Sequence, residues 1–434
     1  MQDCSICLTN NLIGSHISQP AAKPDQKRGK TAMRLAFATG LFCACLHSTS
    51  AAELPMFKVG VLTDLSGLYS DVSGPGSIEA ARLAVADFNP EAHGFRVEII
   101  PGDHLNKPDV GSNLTQRWLS EDGVDVIADV PTSSVALAVS TIVQQHNKVF
   151  LIASAGTSDL TGKACTPNNV HWTYDTWALA NGTAQAVIKQ GFKSWYFLTA
   201  DYAFGQALER DASEVVKANG GEVIGHALAP FPTTDFSSYL IAAQASKAQV
   251  VALANSGGDT VNAVKQASEF GLRTSGKTLV SLLAFISDIH AIGLQAAQGL
   301  TLTSAFYWDL NDGTRAWTKR FIEHTGSRYP TMDQAGVYAS ILDWMKAVDA
   351  MDKTEARDGA AVVARMKQMP TDDPLFGHGL IRQDGRTIHD MYLFRVKAPA
   401  ESHGPYDYYS LVTTIPGAQA FRPMATGGCP MVSH

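Results

Sequence analysis

At 434 residues the chain is too long for one ordinary hydrophobic core and suits two domains of normal size. A composition of 45% hydrophobic and 17% charged residues, with no low-complexity tract in the body, allows for that. The formal net charge of −7 and the scatter of the basic residues exclude a phosphate-neutralising surface, and nucleic acid with it as a partner.

The first 52 residues differ from the rest. KRGKTAMRLAFATGLFCACLHSTSAAE places Lys27, Arg28, Lys30 and Arg34 before an apolar segment, Leu35 to Leu46, and ends in small residues. That is the order of a secretory signal peptide near residues 33–52, with Met33 as the expected natural start. The apolar run is short for a membrane anchor, the alternative reading, and FCA is a poor approach to a lipidated Cys45. Cys4, Cys7, Cys43 and Cys45 fall in the segment expected to be removed, which leaves Cys165 and Cys429. Two cysteines in an exported chain can pair and tie the C-terminal tail to the loop after residue 153; a pair of buried or free thiols is the alternative.

From Phe57 onward, apolar runs alternate with amphipathic ones. FKVGVLTDLSG predicts a strand and loop, and SIEAARLAVADFN a helix with Ile78, Ala81, Val85 and Phe88 on one face. FRVEIIPGD is the next strand. The unit recurs as VGSNLTQRWLSED then VDVIADV, and as SSVALAVSTIVQQHN then KVFLIA. A second series has strands at 195–200, 222–228, 250–255 and 278–283, with helices starting near Phe204, Asp235 and Gly258. Strand, helix, strand at this spacing implies parallel sheets covered by helices.

The fold class is therefore α/β, two doubly wound parallel-sheet lobes joined by three crossing strands. HWTYDTW at 171–177 and TSAFYWD at 303–309 are the first two crossings. The helices RAWTKRFIEHTG and TMDQAGVYASILDWMKAVDAMD are expected back on the first lobe. Residues 379–397 are expected as a terminal hairpin on the second. The expected boundaries are 53–173 with 309–372 for lobe 1, 174–308 with 373–400 for lobe 2, and a tail from 401 to 434.

Ligands of open parallel sheets bind outside the carboxyl ends of the strands. In lobe 1 those loops are LTDLSGLYSD with Tyr69, VPTSSVA with Thr132, Ser133 and Ser134, and SAGTSDLTG with Ala155, Gly156 and Thr157. Backbone N–H groups at helix starts, with hydroxyls, can hold a small carboxylate without a basic side chain; capping is the competing role of the same hydroxyls. Tyr174 lies in the first crossing. In lobe 2, Tyr202, Phe204 and Phe285 can sandwich an apolar or aromatic body, against core packing as the plainer use of such rings. Asp201, Asn255, Ser256, Gly257 and Asp259 offer polar contacts or caps. No GxSxG, HExxH, Walker loop, GxGxxG or metal-spaced cysteine pair occurs, so neither catalysis, a metal nor a cofactor is expected.

With these residues in place, the chain resembles periplasmic solute-binding proteins of the branched-chain amino acid ABC transporter type, the type I venus-flytrap proteins. FKVGVLTDLSGLYSDVSGPGSIEAARLAVADFN resembles the family's opening strand, ligand loop and first helix. SAGTSDLTG resembles its lobe-one ligand loop, and TADYAFGQALERD and SGGDTVNAVKQASEFGL its lobe-two loops. The resemblance implies a protein of the periplasm, monomeric, that delivers a small solute to an inner-membrane permease. It puts a solute carboxylate on Thr132, Ser133, Ala155 and Thr157, and Phe204 with Ser256–Gly257 against the solute from the other lobe. Amino acid binders of the family carry an acid after the strand at 278–283, where this chain has AFIS. The hinge HWTYDTWALANGT and a Cys165–Cys429 pairing resemble the branch that takes aromatic carboxylates and other non-amino-acid solutes. An aromatic or apolar carboxylate is therefore the expected solute, with a branched-chain or aromatic amino acid, or a sensing role for the same fold, as alternatives.

Overall fold

Residues 126–129 and 149–152 are apolar throughout because both faces of their sheet are covered. The computed structural model describes residues 53–432; the expected signal peptide and the four N-terminal cysteines lie outside them. The first sheet contains β1 (Met56–Thr63), β2 (Arg96–Asp103), β3 (Val126–Asp129), β4 (Val149–Ile152) and β5 (Asn169–His171), all parallel in the order β2-β1-β3-β4-β5. Helices α1 (Gly74–Phe88), α2 (Pro108–Ser120) and α3 (Ser133–Gln145) connect the first four strands. Alternation along β3 and β4 sends Val126, Ala128, Val149 and Leu151 into the core that holds α1, while Ile127, Phe150 and Ile152 meet Trp118 of α2 and Val135, Val139 and Val143 of α3. Gly60 and Gly102 let Trp118 lie flat on the sheet, since a Cβ at either would fall within 2.6 Å of the indole.

The chain leaves this sheet after β5. It continues through α4 (Thr176–Lys189), β6 (Ser194–Ala200), α5 (Ala203–Ala218), β7 (Glu222–Ala229), α6 (Ser237–Ala245), β8 (Val250–Ala254), α7 (Gly258–Glu269) and β9 (Thr278–Ser281). These strands form a second parallel sheet, β7-β6-β8-β9. Short helices α8 (Ile286–Ile292) and α9 (Leu294–Ala297) lead to β10 (Thr301–Ser304). Beyond it, α10 (Asp312–His324) and α11 (Met332–Asp349) return to α1, and α11 also lies on β3 and β4. Both faces of α11 are buried, so it spans the core of the first lobe. Next, α12 (Gly359–Gln368) packs against α11 and β4.

The expected hairpin over 379–397 does not form as one unit. Residues 371–388 make a small antiparallel sheet, β11 (Thr371–Asp373), β12 (Gly377–Ile381) and β13 (Thr387–Ile388), and Arg386 bridges to His171 at the end of β5. β14 (Met391–Val396) then pairs with β10 on one side and β15 (Tyr409–Ile415) on the other. The turn DG at 384–385 closes the first piece, and His389–Asp390 separates it from the second. Chain beyond residue 400 thus supplies a sheet strand as well as a tail. After α13 (Gly417–Ala420) the tail ends in a Cys165–Cys429 disulfide across 264 residues of sequence.

Candidate functional site

The loop after β1 is held by Asp64, whose carboxylate accepts the backbone N–H groups of Gly67 at 2.7 Å and Tyr69 at 2.8 Å. That turn sends the Tyr69 ring across to the second lobe, where its hydroxyl meets that of Tyr202 at 2.5 Å. Tyr202 stands at the start of α5, and its ring stacks on Phe231 at 4.3 Å. Phe231 in turn stacks on Tyr69 at 5.7 Å. One turn of α5 further, Phe204 lies over Gly156 in the loop after β4. Tyr174, in the first crossing, donates its hydroxyl to the Ser154 carbonyl at 2.6 Å and faces Phe285 edge-on at 6.4 Å.

These residues, with Val72, Pro131, Ser154, Ser256, Leu283 and Asp333, surround one enclosed space between the strand ends of the two parallel sheets. Its volume is ≈ 10 Å³, about what a single water requires. Side chains of the two lobes meet each other here, so a solute enters only when the lobes part. No lysine, arginine or histidine among the described residues lines the space.

Seven sequence-predicted residues converge there: Tyr69, Gly156, Tyr174, Tyr202, Phe204, Ser256 and Phe285. The others stand nearby with their groups engaged elsewhere. Thr132 caps α3 and gives its hydroxyl to the Asn106 carbonyl, while Ser133 accepts the Thr157 N–H at 3.2 Å. The Ala155 carbonyl binds His171 Nε2 at 2.7 Å, and the Thr157 hydroxyl oxygen caps a short helix at Asp159. Ser134 is half-buried on α3. Asp201 is exposed and accepts Gln206 at 3.0 Å. Asn255 accepts the Thr260 hydroxyl at 2.8 Å. Gly257, at φ 58°, backs directly onto the Tyr69 ring, where a Cβ would fall 2.9 Å from it. Asp259 accepts the Thr233 N–H at 3.0 Å, and burial pushes its carboxyl up to about 6.

Sequence reasoning missed Ser154, Phe231, Leu283 and Asp333. Phe231 sits in an APFPTT loop with no strand or helix period to place it. Asp333 reads as an ordinary acid in the first turn of α11, where Thr331 and Gln334 form a capping box. It is 1% exposed, and its Oδ1 has no hydrogen-bond partner. Burial first, and then Asp129, drives its carboxyl well above the usual carboxylate range.

Two more buried acids stand close by. Asp129, beyond β3, accepts the hydroxyls of Ser73 at 2.9 Å and of Ser154, and burial raises it. Asp288 on α8 accepts the Phe285 N–H at 2.9 Å and is pushed by burial up to about 7. Among the described residues, no group of three or more His, Cys, Asp or Glu is arranged to hold a metal ion. The hinge is fixed by buried Arg386, which donates to the Tyr174 carbonyl at 2.8 Å, lies 3.7 Å from Asp175 and stacks on Phe421.

Two parallel sheets facing one aromatic cleft across a hinge define a two-lobed protein built to close on something small. A family model described as periplasmic binding protein matches residues 57–403. The crystal structure of a periplasmic binding protein from Burkholderia mallei is 45% identical with a TM-score of 0.84, covering 87% of this chain and 99% of that one. A branched chain amino acid ABC transporter periplasmic ligand-binding protein from Burkholderia xenovorans is 36% identical with a TM-score of 0.77, covering 86% and 99%. Leu/Ile/Val-binding protein homolog 6 of Brucella melitensis is 28% identical over 258 residues, 58% of this chain. That match spans 65% of the relative's own length, just under two thirds. The chain belongs to the periplasmic binding protein family.

Proposed function

We propose that this protein is the substrate-binding component of an ABC transporter. In this reading it works in the periplasm as a monomer, captures a small carboxylate solute with an aromatic or apolar body between its lobes, and delivers it to an inner-membrane permease. The observation that carries the reading is the convergence of five aromatic side chains, from both lobes and the hinge, on one enclosed space at the strand ends. The carboxylate is assigned to the loop at 154–157 beside the start of α3, whose backbone donors face the cleft mouth when the lobes separate. Capture proceeds by hinge closure: the first lobe takes the polar head, and Tyr202, Phe204 and Phe285 then exclude water from the rest. The lobes turn about residues 172–175, 305–311 and 389–390. A second reading, a branched-chain or aromatic amino acid as the solute, is favoured by one observation, the acid Asp333 among the lining residues.

The test is a thermal-shift panel of benzoates, cinnamates, aliphatic carboxylates, amino acids and amides against the purified protein. A ligand at 100 times its Kd adds about 2.7 kcal/mol to the folded state. Shifts confined to aromatic carboxylates support the first reading and shifts confined to amino acids the second. Silence across the whole panel removes both.

A further inference from the structure

We infer that Asp333 is the specificity-determining residue of the cleft and that it selects a solute carrying a protonated amine beside its aromatic or apolar body. This rests on the two-lobed capture reading above and deepens it.

Asp333 is the one ionisable acid among the lining residues, and no basic side chain among the described residues accompanies it there. Its Oδ1 is buried and unpartnered. The hydroxyls that could satisfy it point elsewhere, Ser154 to Asp129 and Tyr174 to the Ser154 carbonyl. A buried acceptor without a donor is costly, and a donor brought by the solute relieves that cost.

The charge of the surroundings decides which donor. The titratable groups facing Asp333 are Asp129 beyond β3, Asp288 on α8 and the phenols of Tyr174 and Tyr202, all acids. A solute carboxylate placed against Asp333 would add one more buried negative charge with no cation to offset it. An ammonium placed there compensates the carboxylate. It is also ringed by the faces and edges of Tyr69, Tyr174, Tyr202, Phe204 and Phe285, which attract a desolvated cation. Asp333 holds its proton in the dry cleft and gives it up when the ammonium arrives, so binding releases a proton.

The experiment is isothermal titration of the purified protein, at pH 7, with two matched pairs: L-phenylalanine against 3-phenylpropanoate, and L-leucine against 4-methylpentanoate. Each pair differs by the amine alone, and phenethylamine is added as an amine with no carboxylate. Titration in two buffers of different ionisation heat counts protons. The inference expects the amine-bearing member of at least one pair to bind tenfold or more tightly than its partner, with about one proton released per ligand. Asp333→Asn should bring the two members of that pair to within about threefold. Equal or tighter binding of the carboxylate lacking the amine overturns the inference while leaving the capture reading intact, and it does so on wild-type protein, whatever the folding of the variant. No binding by any of the five compounds overturns both.

Discussion

Gly156 offers the most direct measure of whether the two lobes must touch for the solute to be held. A Cβ built on it falls 2.7 Å from Cε2 and 3.0 Å from Cδ2 of Phe204, and 3.0 Å from the Tyr174 ring. Its φ lies outside the left-handed region, so alanine fits the backbone. Phe204 belongs to α5 on the opposite lobe, and the clash therefore falls mainly on the closed arrangement. Overpacking of this kind costs about 1–3 kcal/mol. Carried only by the closed form, that cost weakens a solute's affinity by roughly 5- to 150-fold. Titration calorimetry on G156A, with a ligand from the panel, reads the affinity, and a melt without ligand shows whether the separate lobes have been damaged. Small-angle scattering adds the shape: the variant should be more extended than wild type without ligand. An unchanged Kd together with unchanged scattering would refute the argument, because Phe204 would then not press on Gly156 in the bound form.

Two further outcomes test what holds the rest together. The Cys165–Cys429 bridge closes a loop of 264 residues, for which the chain-entropy model gives about 5 to 6 kcal/mol; C429S should lower the urea midpoint sharply, wild type in reductant should match it, and an unmoved midpoint would dismiss the bridge as a stabiliser. Asp343 of α11 is 3% exposed with both oxygens unpartnered, and burial pushes its carboxyl up to about 7. Its native state keeps a proton that the unfolded chain has lost above pH about 4, so stability falls as pH rises from there to about 7. D343N removes that penalty, and its advantage over wild type should grow by about 2 to 3 kcal/mol between pH 5 and pH 8. Parallel melting curves at the two pH values would contradict it.

The readable parts of this chain were those where one physical cause acts on a run of residues. Sheets buried on both faces impose apolar runs such as VDVIADV and KVFLIA, and the helices between them show a period, so the two parallel sheets follow from pattern. β15 was harder, because an edge strand with Leu411 and Val412 exposed obeys no burial pattern and follows an aperiodic turn. The candidate site divides in the same way. Aromatic side chains at strand ends have few uses beyond core or ligand, and Tyr69, Tyr174, Tyr202, Phe204 and Phe285 do meet.

Small polar residues at helix starts have two uses with identical sequence signatures, since the atom that caps a helix is the atom that would hold a ligand. Thr132, Ser133 and Thr157 spend those atoms on Asn106, on one another and on Asp159. Asp333 is the reverse case: the capping box of Thr331 and Gln334 accounts for the N-terminus of α11 without it, which leaves its carboxyl for the cleft. Whether an acid in the first turn serves its helix or a distant pocket depends on which face of the helix the core covers. In α11 both faces are covered, and burial therefore sets Asp333 apart from an exposed cap.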